Sequence, residues 1–155
     1  MKQIALTRGM VALVDDADFE WLSRFKWHYA AAGYAAHRDG WKGKIILMHR
    51  LIMKTPIGME CDHIDGRGLY NLRSNLRNCT SSQNRMNRGP QINSKTKVKG
   101  VTQHPNGKYR VKIQVQRKQI HLGYFCTLED ASAAYNKAAK QYHGVFAKLN
   151  QEQIT

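Results

Sequence analysis

Acidic residues are missing from the middle of this chain. From Gly66 to Leu128, 63 consecutive positions, there is neither aspartate nor glutamate, while thirteen lysines and arginines fall inside the stretch. Over all 155 residues, 25 Lys and Arg against 11 Asp and Glu leave a formal charge of +14. A block so one-sided repels itself unless a polyanion neutralises it, so nucleic acid is the expected partner. Cysteine is scarce as well. Cys61, Cys79 and Cys126 form no C-x-x-C pair and leave one odd, which argues against a disulfide framework or a cysteine zinc site. Cys61 and Cys79 either face each other across two strands or lie buried as free thiols. No apolar run approaches the ~18–20 residues of a membrane span, and the N-terminus carries no signal-peptide apolar core. The expectation is a soluble protein of a reducing cytoplasm, with no membrane partner and no small-molecule cofactor.

What is present concentrates in residues 60–88, ECDHIDGRGLYNLRSNLRNCTSSQNRMNR. His63 is followed by Asn75 twelve residues on and by Asn84 nine further, and Asp62 directly precedes the histidine. Met59 to Asp62 reads as a short strand, Asp65-Gly66-Arg67-Gly68 as a turn, and Leu76 to Cys79 as a second strand. Thr80-Ser81-Ser82-Gln83 has the form of a capping box, which starts a helix at Ser81, and Gly89-Pro90 stops it. The order is strand, long loop, strand, short helix, with Asp62-His63 at a strand end and Asn84 on the helix. Histidine titrates near neutral pH and is able to take a proton from water. A carboxylate and an amide oxygen make a sparse site for a hard cation, whose remaining positions belong to waters and phosphate oxygens.

This stretch resembles the HNH (ββα-metal) nucleases. The resemblance implies that His63 is the general base, that Asn75 braces the loop, and that Asp62 and Asn84 hold Mg²⁺ or Mn²⁺. Asn87, one helical turn beyond Asn84, is the reserve ligand if the helix register differs. Arg85 and Arg88, on and just after the helix, are expected to meet DNA.

Residues 1–55 read as a strand-rich lead-in. Short strands flank a turn at Arg8-Gly9, and a helix over DADFEWLSRF carries its acids in the first turn and Phe19, Leu22 and Phe25 on its apolar side. Hairpin strands containing Trp27, Tyr29 and Tyr34, then Ile45 to Leu47, surround Asp39-Gly40, and a helix begins at His49. A similar lead-in precedes the motif in many phage-type HNH proteins. His49 and Arg50 either approach the reacting phosphate or serve a structural or DNA-facing role.

Residues 89–98, GPQINSKTKV, have no apolar periodicity and read as a basic linker, ordered on DNA. Beyond it, Asn106-Gly107 signals a hairpin. Tyr109, Val111, Ile113 and Val115 alternate with Arg110, Lys112, Gln114 and Gln116. After a turn near Arg117-Lys118, Ile120, Leu122 and Tyr124 alternate with His121. Thr127 caps a helix whose Leu128, Ala131, Tyr135, Ala138 and Tyr142 mark one apolar side, ending at Gly144. The stretches KGVTQHPNGKYRVKI, IHLGYFCTLEDASAAYNKAAKQYHG and FAKLN resemble the APETALA-type (ethylene-response-factor) DNA-binding domain. That resemblance implies that Lys99, Thr102, His104, Asn106, Arg110, Lys112, Gln114 and His121 face DNA. Where this chain has Thr102, His104, Asn106 and His121, plant members place arginines and tryptophans, so no sequence preference carries over.

The expected class is therefore α+β in modules. Residues 1–55 form the lead-in, 56–88 the HNH catalytic motif, 89–98 the linker and 99–155 a three-stranded sheet on one helix. The expected function is a homing- or phage-type endonuclease of a bacterial or phage-infected cell. With one motif per chain, a monomer or weak dimer should nick double-stranded DNA. A non-catalytic DNA-binding protein and an RNA-directed one are the competing readings.

Overall fold

The computed structural model describes residues 1–40 and 43–151. Positions 152–155 of the expected C-terminal domain thus lie outside the described residues. The chain is mixed α+β with several small sheets, and it divides into two compact units, 1–84 and 85–155. No described helix is long and apolar enough to cross a membrane.

In the first unit, β1 (Lys2–Ala5) and β2 (Val11–Val14) form an antiparallel hairpin. Ile4, Ala12 and Val14 point to the core because side chains alternate along a strand. A second strand partner, β7 (Tyr70–Asn71), lies parallel to β2, with Leu13 opposite Tyr70 and Val14 opposite Asn71. Between them run α1 (Asp16–Leu22), β3 (His28–Tyr29), β4 (Ala35–Arg38), β5 (Ile45–Leu47) and α2 (Met48–Ile52), the three strands forming one sheet. The expected helix through Phe25 stops at Leu22. Ser23 Oγ donates back to the Phe19 carbonyl, and Trp27 Nε1 takes the Leu22 carbonyl at 2.8 Å. Phe25 is left outside, edge-on to Trp27 and tilted against His37.

The strands β6 (Glu60–His63) and β8 (Leu76–Cys79) pair antiparallel, and α3 (Ser81–Asn87) follows at once. Cys61 and Leu76 pack in the same cluster as Ile4, Leu6, Val14, Leu22, Trp27, Met48 and Ile52. Residues 1–55 and the motif therefore share one core. Cys61 sits opposite Asn78 and Cys79 opposite Glu60, and both cysteines are buried free thiols.

The second unit packs β9 (Val101–Gln103), β10 (Tyr109–Val115) and β11 (Lys118–Phe125) on α4 (Leu128–His143). Thr127 caps α4 by accepting from the Asp130 amide at 3.1 Å. Gly100, at φ +75°, permits the close approach of Tyr135, whose ring a β-carbon there would meet at 2.2 Å. Three expectations change here. Val98, placed in the linker by its polar surroundings, is buried in the second core, and Thr96 Oγ1 bonds the Val101 carbonyl at 2.9 Å. Tyr142 is exposed because the apolar stripe of α4 runs through Ala131, Tyr135, Ala138 and Ala139. Tyr124 leaves the inner face, since the β10–β11 register slips between Val111 and Lys112, which oppose Gly123 and His121. That extra residue is a β-bulge, and Gly123 at φ +126° accommodates it.

Candidate active site and nucleic-acid interface

The pleat of β6 sends Cys61 and His63 to one side and Glu60 and Asp62 to the other. On the first side His63 is 4% exposed, with Nε2 3.2 Å from Asn71 Oδ1. With Asn71 Oδ1 as the acceptor, the tautomer that completes this contact has its proton on Nε2 and leaves Nδ1 as the basic nitrogen. Asn71 is fully buried, held in register with Val14 by the parallel β2–β7 pairing. Tyr34 stacks on the His63 ring at 5.7 Å, and His49 meets it edge-on at 4.9 Å. Burial pushes the His63 pKa down, opposed by the Asn71 bond and the charges of Asp65 and Asp62. Burial also pushes His49 down to about 3, helped by the charges of His63 and Arg50. Among the described residues His49 Nδ1 has no hydrogen-bond partner. The lead-in thus contributes the wall of the histidine site, and His49 reaches it through packing, at 4% exposure.

The loop after His63 is tied by Asn75. Its Nδ2 donates to Asp65 Oδ1 and to the Tyr70 carbonyl, both at 2.9 Å, and its Oδ1 accepts the Asp65 amide at 3.1 Å. Its own carbonyl takes the Ile64 amide at 2.9 Å. Gly68 passes beneath Tyr34, where a β-carbon would come within 2.7 Å of the ring and 2.5 Å of the Gly33 carbonyl.

On the second side of β6, Asp62 faces Arg77 across the ladder, and Arg77 Nε and Nη2 both reach Asp62 Oδ2, at 2.9 and 2.7 Å. Helix α3 begins on a reciprocal cap: Thr80 donates its amide to Gln83 Oε1 at 2.8 Å and receives the Gln83 amide at 3.3 Å. One residue later Asn84 Nδ2 donates to Glu60 Oε2 at 2.5 Å. Asn87 is buried and belongs to the second unit. Among the described residues no group of three or more His, Cys, Asp or Glu is placed to hold a metal. What this side offers a cation is the carboxylate of Asp62 and the amide oxygen of Asn84. Both are hard oxygen donors, which suits Mg²⁺ or Mn²⁺.

Sequence reasoning missed Asn71, Tyr34, Arg77 and Glu60. Arg77 and Glu60 were within reach once β6 and β8 are paired in register. Asn71 and Tyr34 depend on pairings far apart in the chain and left no local mark.

In the second unit the outer face of the sheet carries Thr102, Arg110 and Tyr124 in one row, and Lys112 opposite His121. Gln114 faces Gln119 in the next row. His104 and His121 flank Tyr124 at 5.3 and 4.9 Å. Asn106 Oδ1 accepts the Lys108 amide at 3.1 Å and so shapes the hairpin turn. Lys99, expected to face DNA, is partly buried. Its Nζ donates to the Met86 carbonyl, and burial pushes its pKa down to about 8. Asn150 explains why the FAKLN stretch belongs to this unit: it brackets the Lys99 peptide on both sides and is itself held by Asn136. Arg85 and Arg88 are both exposed.

The molecule is thus an α+β protein of two units, the first built around a buried histidine with a carboxylate and a helix-borne amide on the reverse of its strand. No family model matches the chain. Over 150 residues it is 31% identical to a protein of Acanthamoeba polyphaga mimivirus named "Uncharacterized HNH endonuclease L560", covering 93% of this chain and 76% of the viral one. The chain belongs to the HNH endonuclease family.

Proposed function

We propose that this protein is a divalent-metal-dependent endonuclease that hydrolyses one strand of double-stranded DNA, acting as a monomer or weak dimer. The observation that carries the reading is the orientation of His63. Its Nε2–H is engaged by buried Asn71, so its Nδ1 lone pair is the proton acceptor. Burial keeps the ring neutral, the form a general base needs. His63 Nδ1 takes the proton from a water whose oxygen forms a bond to phosphorus as the bond to the leaving ester oxygen breaks. Asn75 holds the loop that follows the base and so limits its movement. Asp62 and Asn84 would hold Mg²⁺ or Mn²⁺ at the end of β6, where Asp62 directly precedes His63 and the two faces of the strand meet; a bound ion would neutralise charge on the phosphate and the leaving oxygen. The outer sheet of the second unit, in the manner of ethylene-response-factor domains, would meet DNA through Thr102, His104, Arg110, Lys112, Gln114, His121 and Tyr124.

The test is plasmid nicking with Mg²⁺ alongside a DNA-binding assay. His63→Ala should bind within a few-fold of wild type and cleave about 10²–10⁴ times more slowly. Near-normal cleavage by the variant removes His63 from the role. One observation favours a second reading, binding without cleavage: Arg77 already neutralises Asp62. Under that reading neither Mg²⁺ nor Mn²⁺ produces nicks at any protein concentration.

A further inference from the structure

The second side of β6 holds one contact that the reaction as described does not use. Glu60 lies two residues before Asp62, on the same face of the strand. Its Oε2 receives the side-chain amide of Asn84. A planar amide presents an NH₂ on one edge and an oxygen on the other, and the two are exchanged by a half-turn about its terminal bond. Only one of those orientations suits a cation, because the NH₂ edge repels it. A carboxylate accepts and does not donate, so beside Glu60 the amide is held with its NH₂ inward. The oxygen edge then points away from Glu60.

The local fold makes this contact dependable. Glu60 opposes Cys79, the last residue of β8, and α3 begins two residues after that. The reciprocal bonds of Thr80 and Gln83 fix the first turn of the helix, and the Asn84 amide bonds the Thr80 carbonyl at 3.0 Å. Across the ladder Glu60 opposes Cys79 and Asp62 opposes Arg77, so these four side chains share one face of the pair.

We infer that Glu60 is a positioning residue: it sets the orientation of Asn84 so that the amide oxygen serves as the cation ligand. This rests on the metal-dependent reading above. It assigns Glu60 no contact with the ion, and it predicts that hydrogen-bond acceptance, not charge, is what position 60 must supply.

The experiment is Mn²⁺ binding to the full chain, followed by the loss of the free-ion electron paramagnetic resonance signal, for wild type, Asp62→Ala, Asn84→Ala, Glu60→Ala, Glu60→Gln and the Glu60→Ala/Asn84→Ala double variant. Removing a partner that orients a metal ligand typically costs about 10–100-fold in affinity. Glu60→Ala should therefore weaken Mn²⁺ binding by roughly 10-fold. Asn84→Ala should weaken it at least as much, and the double variant no further. Glu60→Gln should stay within about two-fold, because its Oε1 accepts the same bond. Urea unfolding of each variant, read by tryptophan fluorescence, separates lost affinity from lost folding. If Asn84→Ala weakens binding and Glu60→Ala does not, the inference is overturned while the metal site stands. If Glu60→Gln loses as much as Glu60→Ala, Glu60 is itself a ligand and the positioning role is wrong. If neither Asp62→Ala nor Asn84→Ala changes Mn²⁺ binding, the metal site fails and the inference falls with it.

Discussion

Acid should destabilise the first unit, and His49 is the reason. In the unfolded chain this histidine takes up a proton at the ordinary histidine value of 6.5, whereas in the fold burial lowers that to about 3. Between those values the unfolded state binds the proton and the folded state does not, so stability falls as pH falls. The slope approaches ~1.4 kcal/mol per pH unit for a single group, because one pKa unit is worth that much. From pH 7.5 to pH 4.5 the arithmetic gives about 3 kcal/mol from His49 alone. His63, also lowered by burial, adds in the same direction. The assay is urea unfolding followed by tryptophan fluorescence. Trp21, Trp27 and Trp41 all precede residue 85, so the signal reports the first unit. His49→Leu removes the titrating ring while keeping an apolar side chain against Tyr34, and should remove most of the pH dependence. Equal stability at pH 7.5 and 4.5, or a variant that keeps the wild-type slope, would refute the reasoning.

Three other outcomes are expected. Asn75→Ala deletes three hydrogen bonds around the 64–70 loop; it should cost about 1–3 kcal/mol and speed hydrogen exchange at the Ile64 and Asp65 amides. The β10–β11 turn places Gln116 and Arg117 at φ +48° and +66°, so replacing them with Asn-Gly should slow exchange along both strands by about 1 kcal/mol. If the outer sheet reads bases, Arg110→Ala should cost roughly 1–3 kcal/mol on a preferred duplex and little elsewhere. A phosphate contact would instead weaken all duplexes alike and flatten the salt dependence by about one unit of slope.

Local chemistry made much of this molecule legible. The capping box at Thr80-Gln83, the strands at 60–63 and 76–79, and the three strands and helix after residue 100 all follow from patterns contained within a few residues. So does the turn-forming loop between His63 and Asn75. What escaped was non-local. The role of residues 1–55 was invisible because it lies in pairing and packing: β2 against β7, and Tyr34 against His63. Tyr124 was misplaced because simple alternation has no room for a bulge, although a glycine inside a strand is the usual warning of one. Val98 was misread because a polar, basic composition was taken for lack of structure, when a valine in the second core and a threonine bonded to the Val101 carbonyl were enough to order the segment.

The parallel pairing of β2 with β7 also sets a timetable for biosynthesis. Val14 must wait for Asn71, which leaves the ribosome 57 residues later, since 71 − 14 = 57. At roughly 5–20 residues per second that delay is about 3–11 seconds. Until it ends, the edge of β2 is open and the amide that orients the histidine has not been made. A nascent chain therefore carries its lead-in hairpin before the partner of His63 exists, and the His63–Asn71 contact forms only when β7 docks.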